Sequence, residues 1–294
     1  MPHILKNKNL EIHIDLPDEN YNFSRFDWTG KIVKVKFKNT SITSIERTDS
    51  SDENQIGKGF YNEFGIETPL NFKETLIGDW FHKIGIGLLK KEDNSYDFMK
   101  KYEVKPAEFK INMSSNKITI ICTSKIYNGY GYILKKEITL YESSFIVKYW
   151  LQNTGNKPIV TEEYNHNFMA INNELIGNDY ILKFPFALKP ELFGENVNAE
   201  HKVDILENEF RFNGIPNEPF FFSNLSGNTM VNATWELINL KNHIGISETG
   251  SFQTKKINLW GWKHVVSPEL FFNINLQPNK SVSWSRTYRV FKTE

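Results

Sequence analysis

The chain comprises 294 residues with 35 basic and 35 acidic side chains, a formal net charge of zero and one cysteine. That length can bury a large core and suits one big β domain as well as two smaller ones; with no interdomain linker read, a single domain over residues 1–294 is expected. The charge balance leaves no footprint for nucleic acid or an anionic membrane, so a neutral small molecule is the expected partner. Cys122 alone excludes an intrachain disulfide, argues against cysteine-ligated zinc, and reads as a small core residue.

The opening stretch MPHILKNKNLEIHIDL carries Lys6, Lys8 and Glu11 and forms no continuous apolar segment, so no secretory signal is read. No run approaches the ~18 apolar residues of a membrane span. A cytoplasmic protein, monomer or homodimer, is expected. Residues 30–38, GKIVKVKFK, alternate Val33, Val35 and Phe37 with Lys34, Lys36 and Lys38, which predicts a strand with one wet face. Just before it, Arg25 and Asp27 bracket an aromatic residue.

Residues 49–75 are polar, punctuated by glycine and without a period, and read as a long loop bordering a site. His82 and Lys83 follow, ahead of Gly85 and Gly87. Glycines at alternate positions point to a bend or a close backbone approach; the spacing misses the phosphate-binding fingerprints. From Pro106 the segments EFKINM, KITIICTS, GYILKKEITL and SFIVKYWLQN predict antiparallel strands of a sandwich or barrel. The turn signal Asn153–Asn156 is expected to fold the chain back onto a neighbouring strand, TEEYNHNF.

On that strand Tyr164, His166 and Phe168 share one face, and Asn165 and Asn167 the other. An imidazole between aromatic rings suits a proton donor facing a pocket. The plainer reading is a half-buried histidine bonded to backbone. The chain looks loose from Ile181 to Pro190 and then loop-like and charged from Glu195 to Asn213. Strands resume at FFFSN, TMVNATWELIN, HIGISET, KINLWGW, ELFFNINL and SVSWSRTYRVF, and no helix of more than a few turns is predicted.

The succession RFDWTG, KGFYNEFG, DWFHKIGIGLL, TEEYNHNF and HVVSPELFFNINLQPNKSVSWSRTYRVF resembles the galactose mutarotase-like (aldose 1-epimerase) superfamily over most of the chain. Its most specific pieces are Asn165-His166 and the block from His264 to Arg286. The resemblance implies an all-β fold, a large antiparallel β-sandwich or supersandwich with a sugar cleft on one concave sheet. It also implies a carbohydrate epimerase, a cofactor-free isomerase that interconverts the α and β anomers of an aldose. A glutamate takes the proton of the anomeric hydroxyl and a histidine protonates the ring oxygen; carried over, these are Glu269 and His166, with His82 as a further substrate contact. The pair is expected to meet across a space one pyranose wide.

The carboxylate–imidazole pair suits hemiacetal opening, each group contributing ~10²–10⁴-fold. Pro268 interrupts the ladder before Glu269, and Leu270, Phe271 and Phe272 beside it would raise a carboxyl pKa by desolvation. In KGFYNEFG, Asn62 and Glu63 stand where the superfamily has arginine and asparagine. Glu218 is the nearest acidic residue to its hydroxyl-binding aspartate, so galactose is not assigned.

Arg25 could grip a sugar hydroxyl or phosphate, or pair with Asp27, Glu63 or Asp79. Lys83 is either a cleft cation or an exposed strand residue. Trp260 and Trp262, before His264, could stack on a pyranose or simply pack the sheet. No metal site is read, because no carboxylate cluster has recognisable ligand spacing. The competing functions are a non-catalytic carbohydrate-binding or sensing sandwich and, third, an accessory domain of a polysaccharide lyase or hydrolase.

Overall fold

The computed structural model of the chain describes residues 2–52, 54–67 and 69–293. Two ten-stranded antiparallel sheets carry the architecture, and a three-stranded sheet stands apart from them. The first sheet runs His3–Lys6, Leu10–Asp15, Lys31–Phe37, Phe60–Phe64, Ile159–Asn167, Val265–Leu276, Ile257–Trp262, Phe220–Phe222, Asn196–Val197, with Thr40–Ser41 paired beside Lys31–Phe37. The second contains the long strands Tyr132–Leu140, Ser144–Asn153, Val231–Asn239, Ile244–Thr254 and Ser281–Lys292. The three-stranded sheet is Trp80–Lys83, Gly87–Lys90 and Val104–Pro106.

Alternation of apolar and polar residues explains this layering. Ile138, Val147, Leu151, Leu237, Ile246 and Val290 point from the second sheet into one large core, where Ile12, Val35, Phe60 and Ile274 of the first sheet meet them. A separate aromatic cluster of Tyr21, Phe26, Trp28, Tyr61, Phe81, Tyr102 and Phe168 lies on the other side of the first sheet. The three-stranded sheet contributes Phe81 and Leu89 to that second cluster. It thereby roofs part of the first sheet's outer face and leaves the rest open.

The histidine strand is anchored from behind. Asn165 donates to the Tyr288 hydroxyl at 2.7 Å, that hydroxyl donates to Asn167 at 3.0 Å, and Asn167 donates to Glu248 at 2.9 Å. Between the sheets Arg286 bridges Glu163 at 2.8 Å and Glu248 at 2.6 Å, all three fully buried. Buried polar groups satisfied in this way fix one arrangement of the strand, so His166 is held by its own backbone on the opposite face.

Several sequence expectations need correction. The turn at 153–156 does not lay Ile159–Asn167 beside Ser144–Asn153; it carries the chain from the second sheet to the first. The stretch 49–75 is not all loop, because Phe60–Phe64 is a central strand paired to the histidine strand. Residues 181–213 contain the strands Tyr180–Lys183, Val203–Ile205 and Glu209–Phe212. The strand containing Glu269 begins at Val265, four residues earlier than ELFFNINL suggests.

Gly85 makes the close approach that its spacing predicts. Its φ is +84°, and a Cβ there would lie 2.1 Å from Asp27 Oδ1. Asp27 cannot move aside, since Lys136 holds it at 3.1 Å and the backbone N–H of Thr29 donates to it at 2.8 Å. Gly85→Ala combines a left-handed backbone with a steric clash and is expected to lower stability by about 2–4 kcal/mol. Urea denaturation checks this: the midpoint should fall with the slope unchanged.

Candidate active site

The open part of the first sheet's outer face forms a cleft of about 1010 Å³ whose lining includes Arg25, Glu46, His166, Glu269, Trp260 and Trp262. Local strand geometry creates it. Ile159–Asn167 and Val265–Leu276 pair only as far as Tyr164 opposite Phe271, and meet again at a lone bridge between Met169 and Val266. Between those points Pro268 has no N–H to give. The Asn167 N–H donates instead to Ser267 Oγ at 3.0 Å, and the Asn167 side chain to the Pro268 carbonyl at 2.6 Å. His166 and Glu269 project from this parted stretch.

The two groups touch. His166 Nδ1 lies 2.9 Å from Glu269 Oε1, and Nε2 lies 3.0 Å from Glu63 Oε2. The expectation that they face each other across one pyranose is therefore corrected: no sugar ring fits between them in this arrangement. Arg25 Nη2 is also 3.4 Å from Nε2, but arginine could bond only an unprotonated nitrogen, whereas a carboxylate needs a protonated one. The shorter Glu63 contact decides for Nε2–H.

Burial disfavours charge on His166, yet Glu269 and then Glu63 outweigh it and hold the imidazole above its ordinary pKa. Glu63 is fully buried, which alone would raise its pKa; Lys83, Arg25 and His166 overcome that and depress it strongly. Glu46 is depressed in the same sense, its burial outweighed by Arg25. Arg25, Lys83 and His166 face Glu46, Glu63 and Glu269, three basic side chains against three acidic ones. Only Oε1 of Glu269 is engaged among the described residues, by His166 and by Ser267 at 3.5 Å. Oε2 has no hydrogen-bond partner among the described residues.

Because the folded pKa of His166 is raised, its protonation stabilises the fold fully below the unfolded value of ~6.5, and that contribution is lost as pH rises through the folded value. An NMR titration of the ring protons should place the His166 midpoint above 6.5. His82, by contrast, is pushed by burial down to about 4 and should show no midpoint near neutrality. A His166 ring that titrates at or below 6.5 would contradict the two-carboxylate cradle.

The remaining predicted site residues divide. Arg25 lines the cleft, but its guanidinium is held by Glu46 at 2.7 Å and Glu63 at 3.1 Å, not by Asp27 or Asp79. Trp260 and Trp262, either stacking surface or sheet packing by sequence, both lie in the cleft lining. His82 does not: it is completely buried against Tyr130 and Tyr132 and lies outside the lining. Lys83 is neither a cleft cation nor exposed. It is buried, and its Nζ contacts Glu63 at 3.2 Å, the Gly65 carbonyl at 3.3 Å and the Tyr96 hydroxyl at 3.0 Å, a full set of acceptors for an ammonium.

His264 stands behind Trp262, ring centroids 5.3 Å apart, and is not part of the lining. Glu218 is exposed and is not among the lining residues, although its neighbour Pro219 is. Sequence reasoning missed Glu46 and the bridging role of Glu63. A carboxylate between Tyr61 and Phe64, flanked by Gly59 and Gly65, was the available signal for the latter.

No family model matches the chain, and no curated protein sequence does. Solved structures do. The chain is similar to a candidate aldose 1-epimerase from Escherichia coli K12, with TM-score 0.62 and 10% identity over 99% of each chain. A galactose mutarotase related enzyme from Lactobacillus acidophilus gives TM-score 0.59 and 10% identity, covering 100% of this chain and 98% of that one. A galactose mutarotase-like protein from Clostridium acetobutylicum gives 0.59 and 13%, covering 99% and 95%. The fold is the galactose mutarotase-like β-sandwich.

Proposed function

We propose that the chain interconverts the α and β anomers of an aldose or aldose derivative by acid/base ring opening, with Glu269 as base and His166 as acid. One observation carries this reading: an imidazole held between two carboxylates, one of which has an oxygen not engaged by the described residues, lies on the floor of an open, partly aromatic cleft. The fold shared with the structures above supports it.

An entering hemiacetal exchanges hydrogen bonds with the dyad. Its ring oxygen accepts from His166 Nδ1–H as Glu269 turns away, and its anomeric hydroxyl donates to the Glu269 carboxylate. Transfer of both protons leaves a neutral imidazole, a neutral carboxyl group and an open-chain aldehyde; the C1–C2 bond rotates and the transfers reverse. No charge is left uncompensated at either stage. Glu63 keeps its bond to Nε2–H throughout, so the neutral ring has its vacant nitrogen at Nδ1, where the proton must return.

A second reading has its own support. With both ring nitrogens already on carboxylates, His166 aims no N–H into the cleft, which fits a site that binds sugar without turning it over. Polarimetry on freshly dissolved aldoses separates the two. Catalytic amounts of protein should hasten the approach to the equilibrium rotation; calorimetric sugar binding with the spontaneous rate unchanged would establish the binding reading instead.

A further inference from the structure

We propose that the cleft takes a neutral oligosaccharide, its reducing-end ring at His166 and Glu269 and at least one further ring on an aromatic shelf made by Trp260, Phe221 and Trp262. This rests on the acid/base reading above and extends it to a substrate class.

The shelf follows from strand alternation. Asn258, Trp260 and Trp262 share one face of Ile257–Trp262, and all three line the cleft. Asn258 stands opposite Glu269 in the adjacent strand, while Trp260 stands opposite Phe221 in the next strand out. The aromatic surface therefore begins one residue pair beyond the dyad and spreads across two strands. It is also continuous with the dyad. Phe168 stacks on His166 with centroids 5.3 Å apart and planes 10° from parallel, and Trp260 meets Phe168 edge-on at 6.1 Å.

The Trp262 indole N–H donates to the Asn217 carbonyl at 2.6 Å, which fixes the ring and removes its one donor from the cleft. What remains is a flat apolar surface. Pyranose rings present C–H faces, and such faces pack on aromatic rings. The volume of about 1010 Å³ lies at the upper end of the roughly 300–1,000 Å³ that holds a drug-sized ligand, which leaves room beyond a single pyranose.

Charge selects against phosphorylated or acidic sugars. Besides the His166 imidazole, which two carboxylates already hold, Arg25, Arg47, Lys255 and Lys256 line the cleft, as do Glu46, Glu67, Glu195 and Glu269, four basic and four acidic side chains. Three of the cations are already engaged: Arg25 with Glu46 at 2.7 Å, Arg47 with Asp49 at 2.9 Å, and Lys256 with Glu67 at 2.6 Å. An anionic substituent would have to displace a carboxylate from one of these pairs or settle for exposed Lys255.

Exchange NMR on the intact protein tests this by comparing kcat/KM for anomer exchange of glucose with that of cellobiose, maltose and lactose, all of which end in a reducing glucose. At least one disaccharide should exceed glucose by about tenfold or more, the effect of one good aromatic contact. Phe221→Ala and Trp262→Ala should each lower the disaccharide-to-glucose ratio, through KM and not kcat. Disaccharides no better than glucose overturn the shelf and leave the acid/base reading standing. Variants that depress glucose and disaccharide turnover equally overturn it too. If wild-type protein accelerates none of the four sugars, both readings fall.

Discussion

Glu269→Gln should abolish nearly all accelerated anomer exchange while leaving the fold and the cleft intact. The amide oxygen still accepts from His166 Nδ1–H, so the ring stays where the 2.9 Å contact holds it. What disappears is the group that takes the anomeric proton. A general base contributes ~10²–10⁴-fold, or about 3–5 kcal/mol in the barrier, and kcat should fall by that factor. Calorimetric affinity for the sugar should change by no more than a few fold. A variant that keeps more than about a tenth of the wild-type kcat would remove Glu269 from the role of base.

Glu63→Gln should be the most destabilising conservative change in the site. Its carboxylate is bonded by Arg25 Nε at 3.1 Å, Lys83 Nζ at 3.2 Å, the Tyr164 hydroxyl at 3.0 Å and His166 Nε2 at 3.0 Å. Glutamine offers one acceptor where two are used, and turns N–H donors toward cations. Removing one partner from a buried charge network costs about 3–5 kcal/mol, because the charges left behind have lost compensation. Urea denaturation at pH 7 should record that loss, and the His166 midpoint should fall in the same variant.

The pH dependence of stability gives an independent reading. Glu63 has a depressed folded pKa, so its contribution is present above the unfolded value of ~4.3 and is lost as pH falls through the folded one. The difference in stability between wild type and Glu63→Gln should therefore shrink on acidification. A loss under about 1 kcal/mol at pH 7 would mean that Glu63 is not the keystone of the site's charges.

Much of this site could be read from the amino acids, and the reasons differ by residue. His166 stood out because Tyr164 and Phe168 flank it at the period of a strand; Phe168 stacks on it at 5.3 Å and Tyr164 lies tilted against it at 4.4 Å. Glu269 was singled out by the family resemblance, and Pro268, whose missing N–H falls where the two strands part, was the local sign beside it. Phe60–Phe64 was not legible: all five residues are buried, one face against the sheet-to-sheet core and the other beneath the roof. A strand covered on both sides with polar groups on each shows no alternation, and the glycines around it suggest a loop.

Lys83 was misread for a related reason. A lysine in a strand ordinarily marks a wet face, and only the fold brings Glu63, Gly65 and Tyr96 around its ammonium. His82 sits next to it in a strand of the small sheet, and its spacing gave no means of telling cleft from interior. The turn at 153–156 was recognised, but turn residues announce a reversal and not the sheet to which the chain returns.

The central claim is that His166 and Glu269, which lie in contact at 2.9 Å, part to exchange protons with a hemiacetal. Exchange NMR at anomeric equilibrium tests it directly by comparing wild-type protein with Glu269→Gln on one free aldose and its methyl glycoside. The account predicts α-to-β cross-peaks well above the spontaneous rate for wild type with the free sugar alone, and their loss in the variant. Wild-type protein that binds the aldose yet leaves its exchange at the spontaneous rate would contradict it.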